Sequence, residues 1–133
     1  MFTGILHPDD IIIGDQEIDA DHQFIVKLIG KLQTETQGAT NNKVAAILFT
    51  QLCEYADAHF KREEGLMVRI NHKSLRHHAS QHKTMMRTLN DIRKLRETTG
   101  VVGFETANMI CCMFISHITT EDFRLRDHIV SMR

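Results

Sequence analysis

His59 and Glu63 stand four apart in the stretch His59-Phe60-Lys61-Arg62-Glu63-Glu64-Gly65-Leu66-Met67. On a helix that spacing stacks both side chains on one face, a turn from each other. Imidazole and carboxylate are both metal-ligand types. His78 and His82 repeat the device, His117 is followed by Glu121 and Asp122, and His22 stands far upstream. A buried ionisable side chain is costly unless it is paired or binds a metal. One histidine in a core is ordinarily hydrogen-bonded to a carbonyl, and Glu63 alone reads as a solvated helix residue. Five histidines and two acids at consistent depths on four helices read differently.

Spacing also sorts the neighbours. Glu64 is five from His59, so Glu63 is preferred. His77 points about 100° away from His78, so His78 with His82 is the better pair. On the last helix the same rule favours Glu121, four from His117, and leaves Asp122 open. Five nitrogens and two carboxylates exceed what one ion takes. Two ions with about six ligands each offer about twelve positions, and these donors with one assumed bridging oxygen fill about eleven. The reading is a two-iron site with one position open, although imidazole also suits zinc, copper and nickel.

Four helices must bring those residues together. Residues 1–18 read as an N-terminal arm, broken at Pro8 and Asp9-Asp10, with Ile11 to Ile13 able to pack across a bundle. Asp19 is the expected N-cap of helix one. His22, Ile25, Ile29 and Leu32 then repeat at helical spacing, widened by Val26 and Leu28. Residues 37–42 have loop composition. Helix two runs from about Lys43 to about Met67, with Val44, Leu48, Leu52, Tyr55, His59, Glu63 and Leu66 inward. After a connection at 68–73, Ser74 can cap helix three. Its seam of Leu75, His78, His82, Met85, Leu89 and Ile92 steps by three and four.

Residues 98–103 end helix three, and helix four runs from near Phe104 to the end of the sequence. Ala107, Cys111, Phe114, Ile118, Leu125 and Ile129 mark its buried side. The fold is therefore all-α, an up-down-up-down antiparallel four-helix bundle with an N-terminal arm. Residues 1–133 make one domain, the bundle covering about 19–133. At about 1.5 Å per residue, all five histidines reach one layer, at the end of the bundle that holds the helix two–three connection. His7, His72, His77 and His128 are left to the surface or the arm.

Composition narrows the function classes. The chain has 133 residues, 42% hydrophobic and 25% charged, with a formal net charge of −1. No general attraction to nucleic acid or an anionic membrane follows, and no apolar run is long enough for a membrane span. Three cysteines, with Cys111 and Cys112 adjacent, make no disulfide framework. Together with the lack of a signal-peptide pattern, this places the protein in a reducing compartment, the cytoplasm. Cys53, Cys111 and Cys112 read as buried structural residues. Met85, Met86 and Met113 read as core filler.

These motifs resemble the hemerythrin family, specifically its bacterial members. Ile18-Asp19-Ala20-Asp21-His22 looks like the first-helix motif, and His59-Phe60-Lys61-Arg62-Glu63-Glu64 is close to the most specific signature. His78-x-x-x-His82 and His117-Ile118-x-x-x-Asp122 complete the set, and the match covers nearly the whole chain. The resemblance implies two iron ions (Fe2+/Fe3+) with a bridging oxo or hydroxo group. His78, His82 and His117 would bind one iron, His22 and His59 the other, with Glu63 and Asp122 bridging; this decides for Asp122 over Glu121.

The resemblance also implies dioxygen as the partner, bound at the open iron position, with Phe60, Met113, Phe114 and Ile118 around it. The family's tryptophans are missing, with Met113 in the place of one, Phe114 where an aliphatic residue is usual and Leu125 where a tyrosine often lies. The oxygen pocket is thus rebuilt. Three functions follow, in order: reversible oxygen binding or carriage; oxygen or redox sensing; and catalysis as a di-iron oxidase, peroxidase or nitric-oxide reductase. Sensing calls for a C-terminal output domain or partner protein, which the uncapped last helix favours. Because imidazoles outnumber carboxylates and no substrate pocket stands out, the expectation is that the protein is not an enzyme.

Overall fold

In the computed structural model, residues 11–38, 43–99 and 102–133 are described. His7, Pro8, the Asp9-Asp10 pair and parts of both expected loops, at 39–42 and 100–101, lie outside the described residues. Asp15 starts the first helix: its backbone is extended and its carboxylate accepts a hydrogen bond from Ile18 N at 3.1 Å. Helix α1 is Gln16–Thr36, with Glu17 and Asp19 favourably placed in its positive first turn. The expected cap, Asp19, does something else. Its carboxylate reaches back to Ile13 N at 2.7 Å and Gly14 N at 3.3 Å. It pins the arm, so the helix begins a turn earlier than expected. Ile11 and Ile13 are buried, while Ile12 between them faces out.

Helix α2 is Lys43–Arg69. It stops in a left-handed residue, Asn71 at φ 55, flanked by His72 N→Met67 O at 2.9 Å and Asn71 N→Val68 O at 3.1 Å. Those two bonds close the helix end and turn the chain sharply into the next helix. Helix α3 is Leu75–Thr99. Helix α4, Phe104–His117, passes through a π-helical turn at Ile118–Asp122 into α5, Phe123–Ser131, with helical dihedrals at both junctions. No strand occurs among the described residues. Helix α1 packs on α2 and α4, and α2 on α3, giving the expected antiparallel bundle. No helix of the described residues is long and apolar enough to cross a membrane.

The buried stripe of α2 differs from expectation over its first turns. Ala45, Phe49, Leu52, Cys53 and Ala56 are inside, whereas Val44 is half exposed. Phe49 has more apolar surface to hide than Leu48, and its burial turns that part of the helix by one position. The seam of α3 lies as expected: His78, His82, Met85 and Leu89 are buried, with Leu75 and Ile92 partly so.

Two apolar clusters result. The larger holds Ile25, Ile29, Phe49, Phe60, Leu89 and Phe114, among others. The smaller holds Ile13, Ile18, Leu66, Met67 and Leu125. Apart from His59, which lies between Ala56 and Phe60 of the larger cluster, the candidate ligands fall between these clusters in sequence, as His22 does between Ile18 and Ile25. The polar layer is sealed above and below by hydrocarbon.

Candidate metal centre

Helix α1 contributes His22, α2 His59 and Glu63, α3 His78 and His82, α4 His117, and the π turn Asp122. All seven are buried, Glu63, His22, His78 and Asp122 completely. They form two overlapping sets. Glu63, His78, His82, His117 and Asp122 converge in one; His22, His59, Glu63 and Asp122 converge in the other. Within each set the candidate ligand atoms lie within 4.8 Å of one another.

The two carboxylates belong to both sets and divide their oxygens between them. Glu63 Oε1 lies 2.8 Å from His78 Nε2 and 3.0 Å from His82 Nε2. Its Oε2 lies 3.5 Å from His59 Nε2 and 3.6 Å from His22 Nε2. Asp122 Oδ1 faces His78 Nε2 at 2.8 Å and His117 Nε2 at 3.2 Å, and Oδ2 faces His22 Nε2 at 3.0 Å.

The outer partners fix what those nitrogens can do. His22 Nδ1 is 2.8 Å from the Ile11 carbonyl. His59 Nδ1 is 2.9 Å from Asp21 Oδ2, and His82 Nδ1 is 2.7 Å from Glu64 Oε2. Each partner is an acceptor, so each Nδ1 carries the hydrogen and donates. In the neutral tautomer Nε2 then holds a lone pair, aimed at carboxylate lone pairs. Such an arrangement repels itself unless positive charge lies between.

Several of these atoms are also buried without a hydrogen bond: His22 Nε2, His78 Nε2, Glu63 Oε2 and both Asp122 oxygens. Buried orphans of this kind are rare. Seven donors aimed at two points, four of them with converging atoms that have no hydrogen-bond partner, fit two cations.

Titration of the metal-free chain expresses the same demand. Burial opposes a charge on His22, but the facing Asp122 and Glu63 carboxylates prevail and push its pKa up to about 10. His78 is buried too, and the same two carboxylates raise it to about 9. Burial pushes Asp122 upward, as does Glu63, yet His117, His22 and His78 bring it down to about 2. Glu63 is likewise held well below the usual carboxylate range against its burial, by the imidazoles around it.

The π turn resolves the choice between Glu121 and Asp122 in geometry. Phe123 N donates to Ile118 O, five residues back. This wider turn swings the fifth residue after His117 to where an α-helix puts the fourth. Asp122 therefore enters the layer. Glu121 is also buried but turns away, to His77 Nε2 at 3.4 Å and Arg124 Nη1 at 3.3 Å.

Three residues with evident roles were not expected. Asp21 stands in the first-helix motif without an assigned role. Its carboxylate takes His59, Tyr55 Oη at 2.9 Å and two Arg62 nitrogens at 2.8 Å. Burial opposes its charge, but those donors hold its pKa far below the usual range. Its acidic type one residue before His22 was the available signal. Glu64 was set aside by spacing, although an adjacent acid is well placed to serve the neighbouring helix. The Ile11 carbonyl has no sequence signal.

Around the centre, Phe60 stacks on His82 with ring centres 4.1 Å apart and lies 5.6 Å from His59 and 6.0 Å from His117. Phe114 and Ile118 are buried, and Phe114 packs on Phe60 at 6.1 Å. Met113 is partly buried against the larger apolar cluster. Two expectations need correction. His72 is buried, not superficial: the left-handed Asn71 folds the connection inward and sets His72 Nδ1 2.7 Å from His128 Nδ1. Cys53 and Cys111 are buried, but Cys112 is exposed, because it faces away from the core stripe that Cys111 joins.

Known proteins resemble this chain over most of its length. Proteins named bacteriohemerythrin from two strains of Pseudomonas aeruginosa, LESB58 and UCBPP-PA14, are 29% identical over 114 residues, covering 86% of this chain and 74% of theirs. One from Pseudomonas paraeruginosa has the same identity and coverage. No solved structure gives a significant match. The family model described as the hemerythrin HHE cation binding domain matches residues 14–129, the arm's last turn through α5, and the chain belongs to the hemerythrin family.

Proposed function

We propose that this chain is a non-heme di-iron protein that binds dioxygen reversibly, for carriage or sensing. The inequality of the two sets carries the reading. Three imidazoles and two carboxylate oxygens converge on one side, two imidazoles and two carboxylate oxygens on the other. With one shared oxygen bridge, the first set completes about six positions and the second leaves one free. His78, His82 and His117 would hold one iron; His22 and His59 would hold the other; Glu63 and Asp122 would span both. Ferrous ions bound there would supply the electrons that dioxygen needs in order to bind.

The surrounding residues do the rest. Asp21, Glu64 and the Ile11 carbonyl orient three imidazoles before any ligand arrives, which limits reorganisation. Phe60, Phe114 and Ile118 line the layer with hydrocarbon and keep water scarce. Reversible binding ranks above turnover because this donor set is imidazole-rich, unlike the glutamate-rich sites of di-iron carboxylate bundles.

The test is an optical spectrum of anaerobically reduced protein, before air, after air and after evacuation. Two irons per chain with oxygen-dependent bands that vanish under vacuum is the expected result. Bands that never form, or that persist after evacuation, would overturn reversible binding. Sustained peroxide release would favour catalysis.

A further inference from the structure

We infer that the cleft between α2 and α3 is the docking site of a small anionic aromatic electron donor, of the reduced flavin mononucleotide type, which feeds the metal centre. This rests on the di-iron reading above. The cleft has a volume of about 530 Å3, inside the roughly 300–1,000 Å3 range of small-molecule sites. It is lined by a member of the buried cluster, His82.

Its floor and rim have different chemistry. Met86 gives the floor a thioether surface suited to a planar ring, and the buried Phe60 ring, only 3% exposed, lines it as well. The rim carries Lys61, Lys83, Arg87 and Lys94 against Asp57, Glu64 and Asp91. Lys61 neutralises Asp57 at 2.9 Å, and the three other cations face the two carboxylates of Glu64 and Asp91. The balance that remains is positive, and Lys83 and Arg87 are both exposed. A phosphate on the donor would meet that charge.

The floor also leads inward. Phe60 lies nearly parallel to His82, at 12°, with 4.1 Å between ring centres, and it also touches His59 and His117. One buried ring therefore joins the cleft to imidazoles of both sets. At the mouth, Glu64 accepts a hydrogen bond from His82 Nδ1 and has a side chain 36% exposed, so the cleft opens to water where an electron enters. The stoichiometry closes. A dihydroflavin gives up two electrons and two protons and leaves as oxidised flavin. Two ferric ions would take one electron each, and the two protons pass to the bulk water that the cleft opens to.

The experiment has two arms. In the first, metal-free protein is titrated with oxidised flavin mononucleotide and, separately, with lumiflavin, which has the same ring and no phosphate. Quenching of flavin fluorescence reads binding. The native chain should bind the phosphorylated flavin more tightly. The double variant Lys83→Glu/Arg87→Glu should weaken that binding by roughly tenfold at low salt, and less at high salt, while leaving lumiflavin unaffected. In the second, iron-loaded ferric protein is mixed anaerobically with reduced flavin mononucleotide. Its reduction should saturate with flavin and slow in the double variant, at unchanged iron content. Absence of flavin binding by well-folded protein, or equal reduction rates in both proteins, overturns the inference. Failure to load two irons defeats the di-iron reading instead, whatever the first arm shows.

Discussion

Asp21 concentrates more polar bonds than any of the candidate ligands it serves. It fixes the tautomer of His59, and is itself held by Arg62 and Tyr55. Asp21→Ala should therefore act twice. It leaves the buried His59 Nδ1–H unpaired, costing about 1–3 kcal/mol of stability in the metal-free protein, read from urea denaturation. It should also weaken metal binding by roughly 10–100-fold, read by competition with a chelating dye. Unchanged metal affinity would reduce Asp21 to a structural bond.

Protons and metal compete for the same gaps, which gives the metal-free protein a distinctive pH profile. His22 and His78 have folded pKa values near 10 and 9, above their ordinary 6.5. Raised values mean stability that is complete below about 6.5 and lost as pH climbs through about 9 and 10. Glu63 and Asp122 are depressed, so their contribution is present above the ordinary carboxylate range. It is lost in acid, for Asp122 through about 2. Urea midpoints of metal-free protein should be highest near about pH 5–6 and fall steadily toward pH 10. A midpoint that rises between pH 7 and 10 would contradict this assignment.

The π turn in the last helix does the most to build the site at the level of elements. It behaves as one extra residue inside an α-helix, and Thr119 and Thr120 within it are exposed. Deleting Thr119 should let the turn relax to α geometry while Asp122, now four from His117, keeps its place. Two-metal stoichiometry should survive, with helicity and thermal midpoint equal or higher; circular dichroism and metal analysis would check it. Loss of both metals would mean that the wide turn itself is required.

This element also explains the limits of reading the sequence. The seam of α3 was legible because its apolar and histidine positions keep one unbroken period. The layer was legible for the same reason on each helix. Asp122 was not legible from spacing, because a π turn leaves no mark in composition and the four-residue rule points to Glu121. His72 was missed because inward folding depends on a left-handed Asn71, which a short connection does not advertise. Asp19 was misread because its carboxylate serves the arm, and Asp15 is an equally good cap by type.

For the molecule as a whole, a slab of unsatisfied polar groups between two apolar clusters is costly until cations complete it. Metal binding is then a large part of folding. Two ions at free concentrations about a hundredfold above their dissociation constants each contribute about 2.7 kcal/mol. Stripping them with a chelator should lower the thermal midpoint on the order of 10–20 °C. Calorimetry before and after reconstitution would read it. A midpoint indifferent to chelation would mean that the layer satisfies itself.

The chain has no tryptophan and a single tyrosine, Tyr55. That phenol donates to Asp21, whose other oxygen holds His59. All ultraviolet emission excited in the aromatic band beyond phenylalanine thus originates at one phenol ring, whose hydroxyl is two hydrogen bonds removed from His59. The protein carries its own reporter: filling, emptying or reorienting the His59 side should change its brightness, and no dye or engineered probe is needed to watch it.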